Sequence, residues 1–267
     1  MAESIRTYGF TAVPASASTL LNATEAYPHP ASTPEPIPVS ATPIPTTKLA
    51  QRINTYALSR LSEPTYNHSL RVYHYGIAIK RFRFSSPDWD FSDETYFLAC
   101  VLHDIGTTDE HIHGTKLSFE FFGGMLALQL LQSSGDLMES DSSIIAPREQ
   151  AESVAEAIIR HQDLCEVGKI TAVGQLLQLA TIFVGFYEQN FTQIILSIDN
   201  TGSYVDLVHP DTIQDVSTQY PRLGWTQCFV TTIRKENELK PWAHTTALGE
   251  EEFPAKVLGN TLMKPYE

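Results

Sequence analysis

The stretch VLHDIGTTDEH, residues 101–111, places a histidine beside an aspartate at the end of an apolar run. His103 and Asp104 could form a polar helix end, or they could be two ligands of a metal ion. Histidine–aspartate dipeptides arise often by chance, so the pair alone does not decide between these interpretations. The decision depends on whether other helices supply further ligands.

The segments around this stretch show helical periodicity from Thr47 onward. KLAQRINTYALSRL, residues 48–61, places its apolar side chains near one face, as an amphipathic helix does. These side chains are Leu49, Ile53, Tyr56, Ala57 and Leu61. Five further helices are predicted, over NHSLRVYHYGIAIKRF, DETYFLACVLHDIG, KLSFEFFGGMLALQLLQ, REQAESVAEAIIRHQ and AVGQLLQLATIF. Ser92 or Asp93 should cap the third helix. Alternating strand patterns are absent, so the sequence predicts an all-α bundle.

The first 46 residues differ in composition from the rest. YPHPASTPEPIPVSATPIPTT, residues 27–47, carries many prolines between small and polar residues. Proline fixes φ and removes the amide donor, so we expect this segment to be extended, polyproline-like and without helix. YGFTAVP, residues 8–14, could dock as an anchored part of the arm. We predict an extended proline-rich N-terminal arm over residues 1–46 and a helical domain over residues 47–267.

Composition limits the partners of the chain. The 267 residues carry a net charge of −13 and give a pI near 5.1, so an acidic surface disfavours binding to nucleic acid. Three widely spaced cysteines are typical of reduced thiols in a cytoplasmic protein. No apolar run is long enough to span a membrane, and no signal peptide is evident. We expect a small-molecule substrate, with the oligomeric state left open.

Polar residues that could bind a metal ion lie at the ends of the predicted helices. His68 is near the start of the second helix, His103 and Asp104 end the third, and Asp199 follows the sixth. Metal sites in helical bundles form from side chains on facing helices. Two imidazoles and two carboxylates suit a divalent ion such as zinc or iron, and they leave a position for water. His161, at the end of the fifth helix, could be a core histidine, a base beside the ligands or a ligand of a second metal. We favour a role in support of the ligands or facing the substrate.

Six motifs together are more specific than the His-Asp pair. They are NHSLRV (67–72), VLHDIGTTD (101–109), KLSFEFFGG (116–124), AIIRHQD (157–163), LVHPDTI (207–213) and IRKENELKPWAHTTALGEEEFP (233–254). With these motifs the chain resembles the fungal cyanamide hydratases of the HD-domain superfamily of metal-dependent hydrolases, from YGFTAVP to KPYE. The resemblance implies an HD-domain helical bundle that binds zinc through His68, His103, Asp104 and Asp199. It also implies hydration of cyanamide to urea, with a related nitrile as the other possible substrate.

The implied chemistry follows from the ion. A bound divalent ion such as Zn²⁺ lowers the pKa of its water from about 15.7 toward ~7 in favourable sites, and the resulting hydroxide would attack the nitrile carbon. A proton must then reach the nitrile nitrogen, for which Asp104, His161 and Thr107 are candidates. No cofactor beyond the metal is required. The alternative is an HD-type nucleotide phosphohydrolase, which needs cations near the phosphate, and Arg71 is the one close candidate.

Other polar and small residues of these motifs have simpler explanations. His111 and His113, in DEHIHGTK, are expected in a solvated loop. Lys116 could belong to a pocket or to the surface. Gly123 and Gly124, in the fourth helix, should allow a neighbouring helix to approach closely.

An atypical insertion, VGFYEQNFTQIILSI at residues 184–198, separates the sixth helix from Asp199. Relatives of the family place this aspartate directly after the helix. A helical insertion would move Asp199 by roughly 22 Å along the axis, at ~1.5 Å per residue. Three explanations stay open. The segment could loop out, Asp199 could be no ligand and the metal site impaired, or an unspliced intron could supply residues that the working protein lacks.

Overall fold

The computed structural model describes residues 2–23, 33–133, 142–185 and 204–267. Its helices are α1 (Ala2–Thr7), α2 (Ala17–Asn22), α3 (Lys48–Arg60), α4 (Glu63–Arg83), α5 (Asp93–Leu102), α6 (Asp109–Gly114), α7 (Phe119–Gln132), α8 (Arg148–Arg160), α9 (Ala172–Gly185), α10 (Pro210–Gln219), α11 (Trp225–Leu239) and α12 (Glu252–Leu258). Two three-residue strands, β1 (Ala12–Pro14) and β2 (Lys169–Thr171), complete the described elements. The predicted all-α class is confirmed.

Helix α4 runs through the centre of the bundle. Most of its positions are buried on every side, and it packs against α5, α9 and α11. A helix that is covered all round belongs to the core of a protein rather than to its surface. Its apolar residues, including Val72, Tyr73 and Ile79, are almost completely buried. Burial of α4 therefore carries His68, in the second turn, into the interior of the molecule.

Helix α5 begins at the cap that the sequence predicted. The Ser92 hydroxyl accepts hydrogen bonds from the backbone N–H groups of Glu94 and Thr95. Such a cap satisfies amide donors that have no partner within the first turn of a helix. From this start the helix is buried along nearly its whole length and ends directly before His103.

Helices α7 and α8 lie in close contact at Gly124. A Cβ atom at this position would lie 2.4 Å from Ile159 Cγ1 and 2.9 Å from the Ala155 carbonyl oxygen. Gly124 thus has the packing role that the sequence predicted. A Cβ atom at Gly123 would meet its neighbours only at ordinary contact distances, 3.5 Å or more.

The N-terminal residues dock on the bundle through a short antiparallel ladder. Strand β1 pairs with β2 so that Val13 lies opposite Ile170. We expected no strands, and segments of three residues are too short for their periodicity to be recognised. Helices α1 and α2 also lie within residues 1–46, where we expected extended chain. Helix α2 is free of proline, and the Ser16 hydroxyl caps it by accepting from the Thr19 N–H.

Three helices near the C-terminus, α10 to α12, were not predicted. Helices α11 and α12 pack together and form a second apolar cluster, separate from the main core, with residues from α6 and α7. Its buried members are Ile112, Phe119, Trp225, Phe229, Val230, Ile233, Phe253 and Val257. This cluster covers the end of the bundle where helices α5 and α8 finish.

Residues 186–203 lie outside the described residues, and with them Asp199 and most of the insertion. Helix α9 includes the first two residues of the insertion and ends at Gly185. Within the described ranges, no helix is long and apolar enough to cross a membrane. Cys100, Cys165 and Cys228 are free thiols, as their wide spacing in the sequence predicted.

We predict that Gly106→Ala destabilises the protein. A Cβ atom at Gly106 would lie 2.1 Å from the Phe119 carbonyl oxygen, which belongs to the backbone and cannot rotate away. Forcing extra atoms into a packed core costs about 1–3 kcal/mol. For a chain of this size, we expect the melting temperature to fall by roughly 2–4 °C for each kcal/mol.

Thermal unfolding of Gly106→Ala beside Gly114→Ala tests this prediction. Gly114 has no atom within 4 Å of the added Cβ, so its substitution supplies the matched control. We expect the control to stay within about 0.5 kcal/mol of the parent chain. Equal melting temperatures for the two variants would contradict the steric argument.

Candidate metal centre

Three buried side chains converge at the inner ends of helices α4 and α5. His68 Nε2 lies 3.2 Å from His103 Nε2 and 3.7 Å from Asp104 Oδ2, and His103 Nε2 lies 3.3 Å from the same carboxylate oxygen. Each side chain is at most 2 % exposed. Among the described residues, this is the one group of three or more ligand-type side chains close enough to hold an ion.

The end of helix α5 sets the position of the His-Asp pair. His103 still has helical backbone angles, whereas Asp104 has φ −98° and ψ 9° and begins the turn Ile105–Thr107. That backbone region is sparsely populated and is common for residues in active sites. The His103 Nδ1–H group donates to the Cys100 carbonyl oxygen at 2.7 Å. This hydrogen bond fixes the tautomer, so the Nε2 lone pair is directed at the cluster.

The spacing of the three ligand atoms fits a metal ion. Bonds of ~2.0–2.1 Å to tetrahedral zinc place neighbouring ligand atoms about 3.4 Å apart, close to the separations observed here. His68 Nδ1 and Asp104 Oδ2 are buried and have no hydrogen-bond partner among the described residues. A buried polar atom without a partner is unfavourable, so a bound cation would supply the interaction that the carboxylate oxygen lacks. The donor set of two imidazoles and a carboxylate suits zinc or iron.

Burial and mutual charge set the protonation states of the cluster. Burial lowers the pKa of His68 well below its usual value, and the neighbouring His103 lowers it further. Burial opposes ionisation of Asp104, but the adjacent His103 outweighs this effect and lowers the pKa of the carboxyl. His68 is therefore a neutral imidazole and Asp104 a carboxylate at neutral pH. Asp104 in turn raises the pKa of His103 against the effect of burial, so an ion bound at His103 Nε2 would displace a proton there. The neutral imidazole and the carboxylate are the forms that bind metal ions.

His161 approaches the cluster from the end of helix α8. Its ring centroid lies 5.2 Å from that of His103, and its Nδ1–H donates to the Ile158 carbonyl oxygen at 2.6 Å. The Nε2 atom lies 3.4 Å from the Gln162 side-chain nitrogen. Burial, followed by the charge of His103, lowers the pKa of His161 to about 4. His161 is thus neutral, and it lies beside the three-residue group rather than within it.

A small cavity of about 10 Å³ lies over the cluster. Its lining includes four residues that the sequence analysis did not single out, Gln162, Thr181, Trp225 and Phe229. Trp225 stacks on His68 with ring centroids 3.8 Å apart and then on Phe229 at 5.1 Å. The second apolar cluster therefore forms one wall of the cavity, opposite the helices that carry the ligands.

Two other residues from the sequence analysis do not line this cavity. The Thr107 hydroxyl donates to the Asp104 carbonyl oxygen at 2.7 Å, which stabilises the turn after the pair. Arg71 is fully buried, and its guanidinium donates to the carbonyl oxygens of Tyr220 and Pro221. Asp199 lies outside the described residues.

Two expectations for the loop after the His-Asp pair can also be compared with the structure. His111 and His113 lie in the short helix α6 rather than in a loop, and the His111 Nδ1–H donates to the Ile105 carbonyl oxygen. Lys116 is exposed, the surface position that the sequence left open.

A network beside the cavity was not recognised in the sequence. His244 Nδ1 lies 2.7 Å from Glu120 Oε1, and its Nε2 lies 3.2 Å from Asp163 Oδ1. Glu120 is completely buried. Glu120 and His244 are 124 residues apart in the chain, so no local pattern could have joined them. The position of Asp163, two residues after His161, was the available signal that this turn belongs to the site.

We predict that His103→Ala lowers metal content and that His161→Gln leaves it unchanged. Loss of His103 removes one of three converging ligand atoms, whereas His161 lies outside that group. Losing a residue that merely supports a ligand costs ~10–100-fold in metal affinity, so loss of a ligand should cost at least as much. We expect metal content to fall to roughly a tenth or less in His103→Ala and to stay near that of the parent chain in His161→Gln. Elemental analysis of the purified chains measures this, and full occupancy in His103→Ala would refute the ligand assignment.

Comparison with known proteins agrees with this geometry. The HD domain family model matches residues 65–182, a range that contains His68, His103, Asp104 and His161. Two curated relatives, the cyanamide hydratases DDI2 and DDI3 of Saccharomyces cerevisiae, are each 40% identical to the chain over 226 residues. Each alignment covers 85% of this chain and 88% of the relative. With its metal-type cluster inside the matched domain, the chain belongs to the cyanamide hydratase family of HD-domain proteins.

Proposed function

We propose that the protein is a metal-dependent hydro-lyase that hydrates cyanamide to urea. The observation that carries this proposal is a buried metal-type cluster that opens on a very small cavity, in a chain 40% identical to two cyanamide hydratases. A cavity of about 10 Å³ corresponds to roughly one water-sized probe. The substrate should therefore be a molecule of only a few atoms.

We propose His68, His103 and Asp104 as the residues that hold the ion. The ion is zinc in this proposal, with Fe²⁺ as the alternative, because the donor set of imidazoles and carboxylate suits both. When bound there, the ion supplies Lewis-acid activation of water and polarisation of the nitrile. Asp199 is the further ligand implied by the resemblance, and this assignment rests on the sequence.

His161 is the proposed proton carrier. Hydration adds the oxygen of water to the nitrile carbon, and a proton must be delivered to the nitrile nitrogen to give isourea, which tautomerises to urea. His161 lines the cavity, is neutral, and has Nδ1 held by the backbone, so Nε2 can accept and return a proton. Gln162, whose amide lies 3.4 Å from this nitrogen, can orient it. Asp104 is the second candidate for the transfer, since it also lines the cavity.

The walls of the cavity favour an uncharged substrate over a nucleotide. The described residues that line it include no lysine or arginine, and Trp225 and Phe229 form an apolar side. A phosphohydrolase needs cations that bind the phosphate oxygens. Arg71 does not line the cavity, and its Nη1 donates to the carbonyl oxygens of Tyr220 and Pro221.

We predict that the purified, metal-loaded chain releases urea from cyanamide and releases no phosphate from nucleotides. Removal of the ion with a chelator should abolish urea formation, and re-addition of zinc or iron should restore it, because the ion activates the attacking water. Urea and inorganic phosphate are measured in parallel on the same preparation. Phosphate release without urea would favour the nucleotide alternative.

We also propose that the insertion at residues 184–198 impairs the metal site. It separates the end of the matched domain from Asp199, and it carries apolar residues such as Phe186, Tyr187, Phe191 and Ile194. Burying such a side chain is worth ~1.5–3 kcal/mol, so these side chains favour association wherever they stay exposed.

A chain that lacks residues 184–198 should bind metal more tightly, turn over cyanamide faster and be more soluble than the full chain. The shortened chain returns Asp199 to the position directly after Phe183. Both forms are expressed, each with an Asp199→Ala control, and metal content and urea release are measured. Asp199→Ala should reduce metal binding most strongly in the shortened chain. Equal or better metal binding and turnover by the full chain would show that the insertion is a native part of the enzyme.

A further inference from the structure

We infer that His244 is a positioning residue, which holds the turn at residues 161–163 in place beside the metal cluster. This turn carries His161 and Gln162, which both line the cavity. His244 comes from the short helical turn His244–Leu248, far away in the sequence. The expected effect of His244 on cyanamide turnover rests on the proposed function. Its role in holding the turn rests on the geometry alone.

The two nitrogens of His244 each face a carboxylate. Nδ1 lies 2.7 Å from Glu120 on α7, and Nε2 lies 3.2 Å from Asp163 at the end of the turn. The Nδ1 contact is a hydrogen bond and the Nε2 contact is an ion pair, and two carboxylates that face one ring favour its protonated form. Charge-assisted hydrogen bonds of this kind are shorter and stronger than neutral ones. His244 therefore links α7 to the turn through a hydrogen bond to Glu120 and an ion pair with Asp163.

The turn itself is tied to its surroundings on the opposite side. The Gln178 amide donates to the carbonyl oxygens of Arg160 and Asp163, at 2.8 Å each. The Arg160 guanidinium donates to Asp163 Oδ2 at 2.9 Å, which leaves Oδ1 for His244. Residues 161 and 162 thus lie between fixed points, and His244 supplies the bond from the C-terminal segment.

His244 is itself rigidly held. Its backbone N–H donates to the Ser118 hydroxyl at 2.9 Å, directly before α7. On the same segment, Lys240 Nζ donates to the Leu117 carbonyl oxygen at 2.7 Å, and Trp242 Nε1 donates to the Lys116 carbonyl oxygen at 3.0 Å. These three hydrogen bonds therefore fix the C-terminal segment along the loop that precedes α7. Because its backbone is held in place, the His244 side chain can keep the turn at residues 161–163 in a fixed position.

The surrounding charges favour the imidazolium. The hydrogen bond to Glu120 raises the pKa of His244 against the effect of burial, and Asp163 raises it further. The other charged groups on the neighbouring elements are Arg160, which is paired with Asp163, and the buried pair of Glu236 with Lys240. Because the folded-state pKa is raised, the contribution of His244 is present at low pH and is lost as the pH rises through that pKa.

Replacement of His244 by glutamine, asparagine and alanine tests the inference. Glutamine keeps a donor at the place of Nε2, which faces Asp163, whereas asparagine keeps one at the place of Nδ1, which faces Glu120. Since the bond to Asp163 holds the turn, the glutamine variant should retain more function than the other two. His113→Ala, an exposed histidine on α6, is the matched control.

Two measurements are made on the full-length, metal-loaded chains. The first is hydrogen exchange at the backbone amides of His161 and Asp163, which bond to Ile158 and Arg160. We expect faster exchange in the asparagine and alanine variants, an intermediate rate in the glutamine variant, and unchanged exchange in His113→Ala. The second is cyanamide turnover. There we expect kcat to fall by roughly ten- to a hundredfold in the asparagine and alanine variants and by less with glutamine, with unchanged metal content.

The outcomes separate the inference from the proposed function. If the parent chain makes no urea, the proposed function fails, and hydrogen exchange alone decides the role of His244. Unchanged exchange at residues 161 and 163 in His244→Ala would overturn the inference, whatever the activity. So would an asparagine variant that retains more turn protection or more kcat than the glutamine variant. Supplying free imidazole to His244→Ala should restore part of the lost turnover, because the side chain is 26% exposed.

Discussion

The burial of a carboxylate between two imidazoles is the constraint on which the rest of the structure depends. Asp104 is completely enclosed, and one of its oxygens has no hydrogen-bond partner among the described residues. An unsatisfied buried polar group costs about 1–3 kcal/mol, and a charged one costs more. The fold tolerates this arrangement because central helices fix His68 and His103 on either side. The same three residues therefore affect both the stability of the bundle and its capacity to bind a cation.

Two of the three histidines at the site lie at helix ends. His103 and His161 each follow the last residue of a helix, and each donates Nδ1–H to a carbonyl oxygen three residues earlier. This repeated geometry uses backbone acceptors that have no partner within the helix. It directs the remaining nitrogen of each ring away from its own helix and toward the space between helices α4, α5 and α8. The C-terminal helix α11 then closes that space with Trp225 and Phe229.

The sequence predicted the six central helices and singled out His68, His103 and Asp104, which the structure brings together. It could do so because long apolar runs with polar ends are local patterns. It did not reveal α11, although Trp225, Phe229 and Ile233 are spaced as one face of a helix. It also assigned no role to Glu120, which is buried against His244. That contact joins distant segments, so it depends on tertiary packing that no local window contains.

The contacts made by the two ends of the chain have a consequence for the order of folding. The Ser153 hydroxyl donates to the Tyr8 carbonyl oxygen across 145 residues, and Glu120 meets His244 across 124 residues. The entropy lost on closing a loop grows with its length, and contacts distant in sequence slow folding. Helix pairs that are close in sequence, such as α4 with α5 and α7 with α8, can pack before either end of the chain is attached. The cluster of His68, His103 and Asp104 would then form first in an open cleft, and Trp225 and Phe229 would cover it in the last stage of folding.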